Sequence, residues 1–186
     1  VYLGGERVRR LVTGLGIPQA VIALFHRPPR PPAADLVNRC RRLVVIEGVD
    51  NPANVGAIVR NAAGLGWDGV LLDHTSADPL HRRALRVAMG TAFALPHART
   101  RVLADVLTGT TVDLLALTPD PAARDIADVA GRLDAHRPRA VLIGSERAGL
   151  SDRLLALATP VRIPMAAGVD SLNAAAAAAV ACFALR

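Results

Sequence analysis

At 186 residues the chain holds one core-bearing domain and an appendage of about 40 residues. It is 52% hydrophobic and 20% charged, which excludes a disordered chain, and with aromatics at only 3% the core is expected to be Ala, Val, Leu and Ile. The formal net charge is +6, and all 22 Lys and Arg positions are Arg, a balance compatible with a polyanionic partner but equally with a GC-rich genome.

Val1 is not an initiator methionine and nothing after it reads as a signal peptide, so the chain is expected to begin inside a longer protein. Residues 11–25 could supply a strand or two. The stretch 26–34 (HRPPRPPAA) carries four prolines, which sustain neither a helix nor a central strand, and reads as a linker with a boundary near Arg30.

From Leu43 an alternation begins. Residues 43–49 (LVVIEGV) form a short apolar, β-branched run, hence a strand. The turn 51–54 (NPAN) leads into a helix over 55–65 closed by Gly66. Residues 69–72 are the next strand. Asp78-Pro79 opens a helix through about Met89, with Asp78 as N-cap. A helix follows over 101–107, a strand over 111–117, a helix over 126–136 and a buried strand over 140–143. A short helix over 151–158 capped by Ser151, a strand over 161–163 and a helix over 171–185 complete the pattern. The reading is an α/β fold: a parallel sheet with helices on both faces. The longest apolar run, 174–185, is too short to span a bilayer, so no membrane segment is expected. Cys40 and Cys182 lack metal-ligand spacing. Two free thiols in a reducing cytoplasm and no bound metal are the simpler expectation.

Three segments carry chemistry. In the first, residues 47–62 (EGVDNPANVGAIVRNA), a buried strand delivers a polar turn to the sheet's carboxyl edge, where open α/β sheets bind ligands. Asn54 is there either a helix N-cap or a site residue, and Arg60 either a salt-bridged surface group or a guanidinium facing a phosphate. The second, 142–150 (LIGSERAGL), ends a strand in a loop whose backbone groups could bind a nucleoside edge; a capping Ser beside a Glu would explain it equally well. In the third, 163–173 (IPMAAGVDSLN), Pro164 removes a donor from a strand end, and Ser171 and Asn173 stand at the head of the last helix. The six alanines that follow allow a close helix–helix approach within the chain or across a dimer.

In this order, NPANVGAIVRNA, GSERAGL and IPM…GVDSLNAA resemble the three motifs of the SpoU branch of the SPOUT RNA methyltransferases, over residues 43–185. The stretch DPL…R…MGT at 78–91 is similar to one that members carry between the first and second motifs. The resemblance implies an α/β knot, with a C-terminal trefoil knot threading a preceding loop. It implies S-adenosylmethionine (AdoMet) as methyl donor, held by Leu117, Thr118, Gly144, Ser145, Glu146, Ile163, Pro164, Met165, Ser171, Leu172 and Asn173. Asn54, Arg60, Glu146, Ser171 and Asn173 are the catalytic positions it implies, in a cytoplasmic homodimer that methylates a ribose 2′-hydroxyl of tRNA or rRNA. Residues 1–42 would be the remnant of an N-terminal RNA-binding domain and its linker, and 43–186 the catalytic domain. Arg147 departs from the family's usual Gly; if that position needs a left-handed backbone, Arg is disfavoured by roughly 1 kcal/mol.

Methyl transfer is an in-line displacement, so the protein must align the reactants and help remove the hydroxyl proton. The motifs place no His/Asp pair for this, and a guanidinium, which holds its proton tightly, is a poor base. Arg60 is therefore expected to clamp phosphate and stabilise developing charge, the proton acceptor staying open. Two other readings stand beside this one. A Rossmann-type small-molecule enzyme would need a G-x-G-x-x-G turn after the first strand, which residues 50–54 lack. A non-catalytic RNA-binding module would keep the fold and lose the chemistry.

Overall fold

The apolar runs between residues 42 and 162 become strands β1 (Arg42–Ile46), β2 (Gly69–Leu72), β3 (His97–Arg99), β4 (Asp113–Leu117), β5 (Arg124–Asp125), β6 (Arg139–Ile143) and β7 (Thr159–Arg162). In the computed structural model, which describes residues 3–13 and 26–186, these pair in parallel in the order β3-β2-β1-β6-β4-β7-β5. Successive side chains leave opposite faces of each strand, so Val44, Ile46, Val70, Val141 and Ile143 enter one core and Leu43, Val45, Leu71 and Leu142 the other. The first core is covered by α3 (Pro52–Gly64), α4 (Arg82–Ala88), α5 (Thr91–Ala94), α7 (Ile126–Ala130) and α9 (Ala174–Ala184). The second is covered by α2 (Ala33–Arg39), α6 (Leu103–Leu107) and α8 (Asp152–Leu155). Burial on both faces is what the continuous apolar runs demanded.

The chain leaves β4 for β5, two places away, and returns through α7 to lay β6 on the other side of β4. It then crosses by α8 to place β7 between β4 and β5, and ends in α9 on the opposite face. The later strand thus enters a gap bounded by strands laid down earlier. This order brings the carboxyl ends of β4, β6 and β7 side by side.

Several elements differ from expectation. The helix foreseen with Asp78 as cap begins three residues later than expected, at Arg82, with His81 as its cap: Nδ1 accepts from the Arg83 amide at 3.2 Å. Asp78 instead closes a separate turn, Oδ1 accepting from the Leu80 amide at 2.9 Å. The helix foreseen over 126–136 stops at Ala130, because Gly131 caps it and a turn at Asp134 follows. The last helix begins at Ala174 rather than at 171, since Asn173 takes the cap. Ser151 precedes α8 but makes no capping bond; its hydroxyl is spent on Glu47. Four short elements had no counterpart in the sequence reading: α2, α5, β3 and β5. Residues 11–13 end a helix, α1 (Glu6–Thr13), and the rest of the 11–25 expectation lies outside the described residues.

Close approaches fix the helical layer. A Cβ on Gly56 of α3 would sit 2.4 Å from the Ala84 carbonyl oxygen of α4, so only glycine allows this crossing. Against α9, Asn61 donates from Nδ2 to the Ala175 carbonyl at 3.0 Å, and the Trp67 indole N–H to that of Cys182 at 3.0 Å. Cys40 and Cys182 are free and buried in the two different cores. Burial pushes their thiols up to about 11 and about 12, the Cys40 shift aided by Asp68.

The proline-rich stretch is fastened at one point. Arg27 and Arg30 both pair with Asp78, the latter at 3.0 Å. Burial alone would raise the Asp78 carboxyl, but the Arg27 bond, the Leu80 amide and the Arg30 charge outweigh it and hold the pKa at about 2. The stabilisation from this depressed carboxyl is complete above its ordinary value of 3.8 and is lost as pH falls from there toward about 2. In Asp78→Ala at neutral pH, NMR relaxation should show increased fast motion at the Arg27 and Arg30 amides. The global unfolding free energy should fall by about 1–2 kcal/mol, since the carboxylate's two guanidinium partners and its bond to the Leu80 amide are lost together. Unaltered relaxation would mean that these pairs do not hold the stretch.

Candidate active site

Three strands end at one edge, and each delivers a loop. After β4 come Leu117, Thr118 and Pro119, with the Thr118 amide bonded to the Val161 carbonyl at 3.0 Å. After β6 the loop 144–150 folds back on itself: the Gly149 amide reaches the Ser145 carbonyl at 3.0 Å and the Ala148 amide the Ser145 hydroxyl at 3.1 Å. After β7 come Ile163, Pro164 and Met165, then the segment leading to Asn173. These loops enclose a cavity of about 350 Å³. Its lining includes Leu117, Thr118, Gly144, Ser145, Glu146, Ile163, Met165, Ser171 and Leu172. Of the residues expected to hold a cofactor, Pro164 and Asn173 are not in its wall. A larger cavity, about 720 Å³, opens at the amino ends of β4 and β7 and contains none of the motif residues. Ligands of parallel α/β sheets bind at the carboxyl ends, so the smaller cavity is the candidate site.

A polar cluster forms beside it. Glu146 Oε1 accepts from Asn54 Nδ2 at 2.9 Å, from Asn173 Nδ2 at 2.6 Å and from the Ala174 amide at 3.4 Å. Asn173 Nδ2 also reaches Asn54 Oδ1 at 3.2 Å, while its own Oδ1 caps α9 through the Ala175 amide at 2.9 Å. Three motifs that are remote in sequence thus meet at one carboxylate oxygen. Asn54 is available for this because the neighbouring Asn51 takes the capping role, its Oδ1 accepting from the Ala53 amide at 2.9 Å. Glu146 Oε2 has no partner among the described residues, which leaves an oriented acceptor next to the cavity.

Arg60 stands apart. It is exposed on α3, outside the cavity wall, and makes no ion pair or hydrogen bond among the described residues. The salt-bridged alternative for it is therefore not realised. Six residues separate it from Asn54, about 9 Å along the helix axis. Ser171 lines the cavity but bonds to none of Asn54, Glu146 or Asn173.

Two carboxylates that the sequence reading missed hold this arrangement. Glu47 accepts the Ser151 amide at 2.7 Å and the Ser151 hydroxyl at 2.9 Å, anchoring the far end of the 144–150 loop. Asp73 accepts from the Gly48 amide at 3.1 Å and from Ser76 and Thr75, whose hydroxyls both bond to it. Burial would raise the Asp73 carboxyl, but these donors together hold it below its ordinary value. Pro119, Arg147, Leu155 and Asp170 also line the cavity without having been foreseen. Arg147 and Asp170 lie inside the quoted segments 142–150 and 163–173 and Pro119 follows Thr118, so proximity alone could have pointed to these three. The conformation at Arg147 is ordinary: the left-handed residue of the loop is Gly149, φ +69°, so arginine carries no strain there.

An all-parallel α/β domain with one loop-built pocket and a carboxylate held by two asparagines at its rim is a small-molecule binding unit with a polar reaction edge. The sequence pattern of the SpoU rRNA Methylase family matches residues 41–183, and the chain belongs to that family. It is 39% identical over 186 residues to an uncharacterized tRNA/rRNA methyltransferase of Mycobacterium bovis, covering 97% of this chain and 64% of the relative. It is 28% identical over 190 residues to the 23S rRNA (guanosine(2553)-2′-O)-methyltransferase of Bacillus subtilis, covering 100% of this chain and 72% of that one. The crystal structure of an AdoMet-bound rRNA methyltransferase from Sinorhizobium meliloti superposes with a TM-score of 0.86 at 30% identity, over 98% of this chain and 69% of the other. The chain thus spans 64% of the length of its mycobacterial relative. Family membership and the superposition imply the knotted SPOUT fold, and the parallel α/β sheet flanked by helices agrees with it.

Proposed function

We propose that this chain is the catalytic unit of an AdoMet-dependent methyltransferase acting on a ribose 2′-hydroxyl of tRNA or rRNA. The observation that carries the reading is the convergence of Asn54, Glu146 and Asn173 on one carboxylate oxygen at the rim of the cavity. The cavity's volume of about 350 Å³ suits a nucleoside-sized ligand, since small-molecule sites begin near 300 Å³. Its wall fits AdoMet in kind: Leu117, Ile163, Met165 and Leu172 offer apolar surface, and the 144–150 loop offers backbone donors and acceptors. When bound there, AdoMet supplies an electrophilic methyl group on its sulfonium.

The protein's own groups do the rest. Asn54 and Asn173 hold the Glu146 carboxylate in one orientation, leaving Oε2 to accept a hydrogen bond. Arg60 clamps phosphate through its planar guanidinium fork and stabilises negative charge developing on the hydroxyl oxygen. The active form is a homodimer with RNA across the subunit junction. Supporting this, α9 leaves Ala176, Val180 and Phe183 exposed at helical spacing, Phe183 being 59% exposed. Residues 1–42 are assigned to an RNA-binding appendage and its linker, and 43–186 to catalysis, in cytoplasm. A Rossmann-type enzyme is set aside by the family match over residues 41–183.

The test is calorimetry with AdoMet together with radiolabelled methyl transfer to ribosomal RNA and mapping of the product. Wild type is expected to bind AdoMet and to label a 2′-oxygen. Absence of any heat would favour a non-catalytic RNA-binding module. Asn54→Ala is expected to slow transfer about tenfold or more, as loss of a hydrogen bond to a charged group does. Its melting temperature should hold, because Asn51 remains the cap and alanine suits the helix. Full activity in this variant would remove Asn54 from the site.

A further inference from the structure

In the helical layer over the first core, α3, α4, α5 and α9 contain no Asp or Glu and their charged residues are Arg60, Arg82, Arg83 and Arg86; the acid within this layer's helices, Asp128, is on α7, beside β5. All four are exposed, and none of their side chains has an ion-pair or hydrogen-bond partner among the described residues. The opposite layer differs: α2, α6 and α8 mix both signs, and Arg153 of α8 pairs with Asp105 of α6 at 2.7 Å. On α4 the buried residues are Ala84 and Ala88, which puts Arg82 and Arg86 on the outward side and Arg83 on its flank. Arg60 lies one turn beyond Gly56, on the face of α3 that meets Ala84 of α4, so the two helices present their arginines to one surface. Asp78, the acid just ahead of α4, is already engaged by Arg27 and Arg30.

Helix stability does not account for this set. Arg82 and Arg83 fill the first turn of α4, where the backbone dipole favours acids, and Arg86 repels Arg82 across an i,i+4 spacing. Nor does self-association through these helices: a two-fold contact uses the same patch on both copies, and α3, α4, α5 and α9 offer no acid to pair with the arginines. A polyanion fits both observations. We propose that α4 is a docking helix for RNA outside the reaction pocket, with Arg82, Arg83 and Arg86 extending the phosphate contact of Arg60 along the nucleic acid. This rests on the reading of the chain as an RNA methyltransferase and adds the surface that grips the substrate.

The experiment is binding of a 23S rRNA transcript as a function of salt, with wild type, Arg82→Gln/Arg83→Gln/Arg86→Gln, and a control that removes equal charge elsewhere, Arg39→Gln/Arg101→Gln/Arg132→Gln. Glutamine suits a helix and none of these side chains is bonded among the described residues, so both variants should fold; AdoMet affinity reports that they have. Each phosphate contact contributes roughly 0.7–0.9 to the slope of log K against log salt. The α4 variant should flatten that slope by about 2 to 3 and weaken binding at least tenfold at low salt, with AdoMet affinity unchanged and the control near wild type. Equal losses in both variants, or wild-type RNA binding by the α4 variant, would overturn the proposal while leaving the methyltransferase reading intact. A change of oligomeric state in the α4 variant alone would overturn it in favour of a second copy on this face. Failure of wild type to bind RNA would sink both.

Discussion

Replacing Arg60 by alanine is expected to lower the rate of methyl transfer to RNA about a hundredfold while AdoMet affinity stays within about twofold. The two readouts separate because Arg60 is exposed on α3, outside the wall of the cavity, and bonds to nothing among the described residues. A donor in the pocket has no contact to lose with it. The rate has much to lose, since removing one preorganised group aimed at developing negative charge typically costs 10²–10³-fold. Stability should not fall, because alanine is the better helix former and no partner is orphaned. Arg60→Lys should recover only part of the rate, as an ammonium keeps the charge but not the planar fork that matches a phosphate. Parallel loss of AdoMet binding and turnover would place Arg60 in the donor pocket instead. Unimpaired transfer by the alanine variant would take it out of the reaction altogether.

How far the sequence carries depends on how local the cause is. The central strands were legible because burial on both faces leaves an uninterrupted apolar run, as in Leu43–Ile46 and Leu142–Ile143, and the observed β2 is bounded as read. Strand β3, with His97 and Arg99 flanking a single buried Ala98, has no such run and exists because β2 offers it an open edge. Helix α5 follows two consecutive left-handed residues, Met89 and Gly90, a reversal that propensity alone does not foretell. Helix α2 did carry a signal, Leu36, Val37 and Cys40 sharing one buried side, but the prolines before it masked the pattern. In the site, the loop residues were readable as strand ends followed by Gly and small polar groups. The role of Asn54 could not be settled that way, since Asn51-Pro52 and Asn54 both suit a helix start, and only the fold shows Asn51 capping while Asn54 faces Glu146. Glu47 was illegible for the same reason, since its partner Ser151 is 104 residues away. Asp73 carried a local signal, Thr75 and Ser76 two and three residues on, but its bond to the Gly48 amide, 25 residues back, is set by tertiary structure.

Gly144→Ala tests whether the pocket depends on how closely its second loop folds. A Cβ on residue 144 would stand 2.2 Å from the Gly149 carbonyl carbon and 2.4 Å from both the Gly149 oxygen and the Leu150 nitrogen. These are backbone atoms, so no side-chain rotation relieves the overlap and the loop itself must open by about 1 Å to reach ordinary contact. The strand on one side cannot yield, because β6 is buried along its whole length between β1 and β4. The far side is held by the Ser145–Gly149 bond and by Glu47 on Ser151. Overpacking of this kind costs about 1–3 kcal/mol, and if the strain is relieved at the pocket wall it appears in binding as roughly ten- to hundredfold weaker AdoMet affinity. Gly149→Ala is the informative comparison. A Cβ there meets nothing within 4 Å, and the only penalty is the left-handed φ of +69°, about 1 kcal/mol. Calorimetry should therefore rank the losses Gly144→Ala above Gly149→Ala, with both proteins still folded. The reverse order would mean that the turn's handedness, and not the contact between its two ends, shapes the donor site.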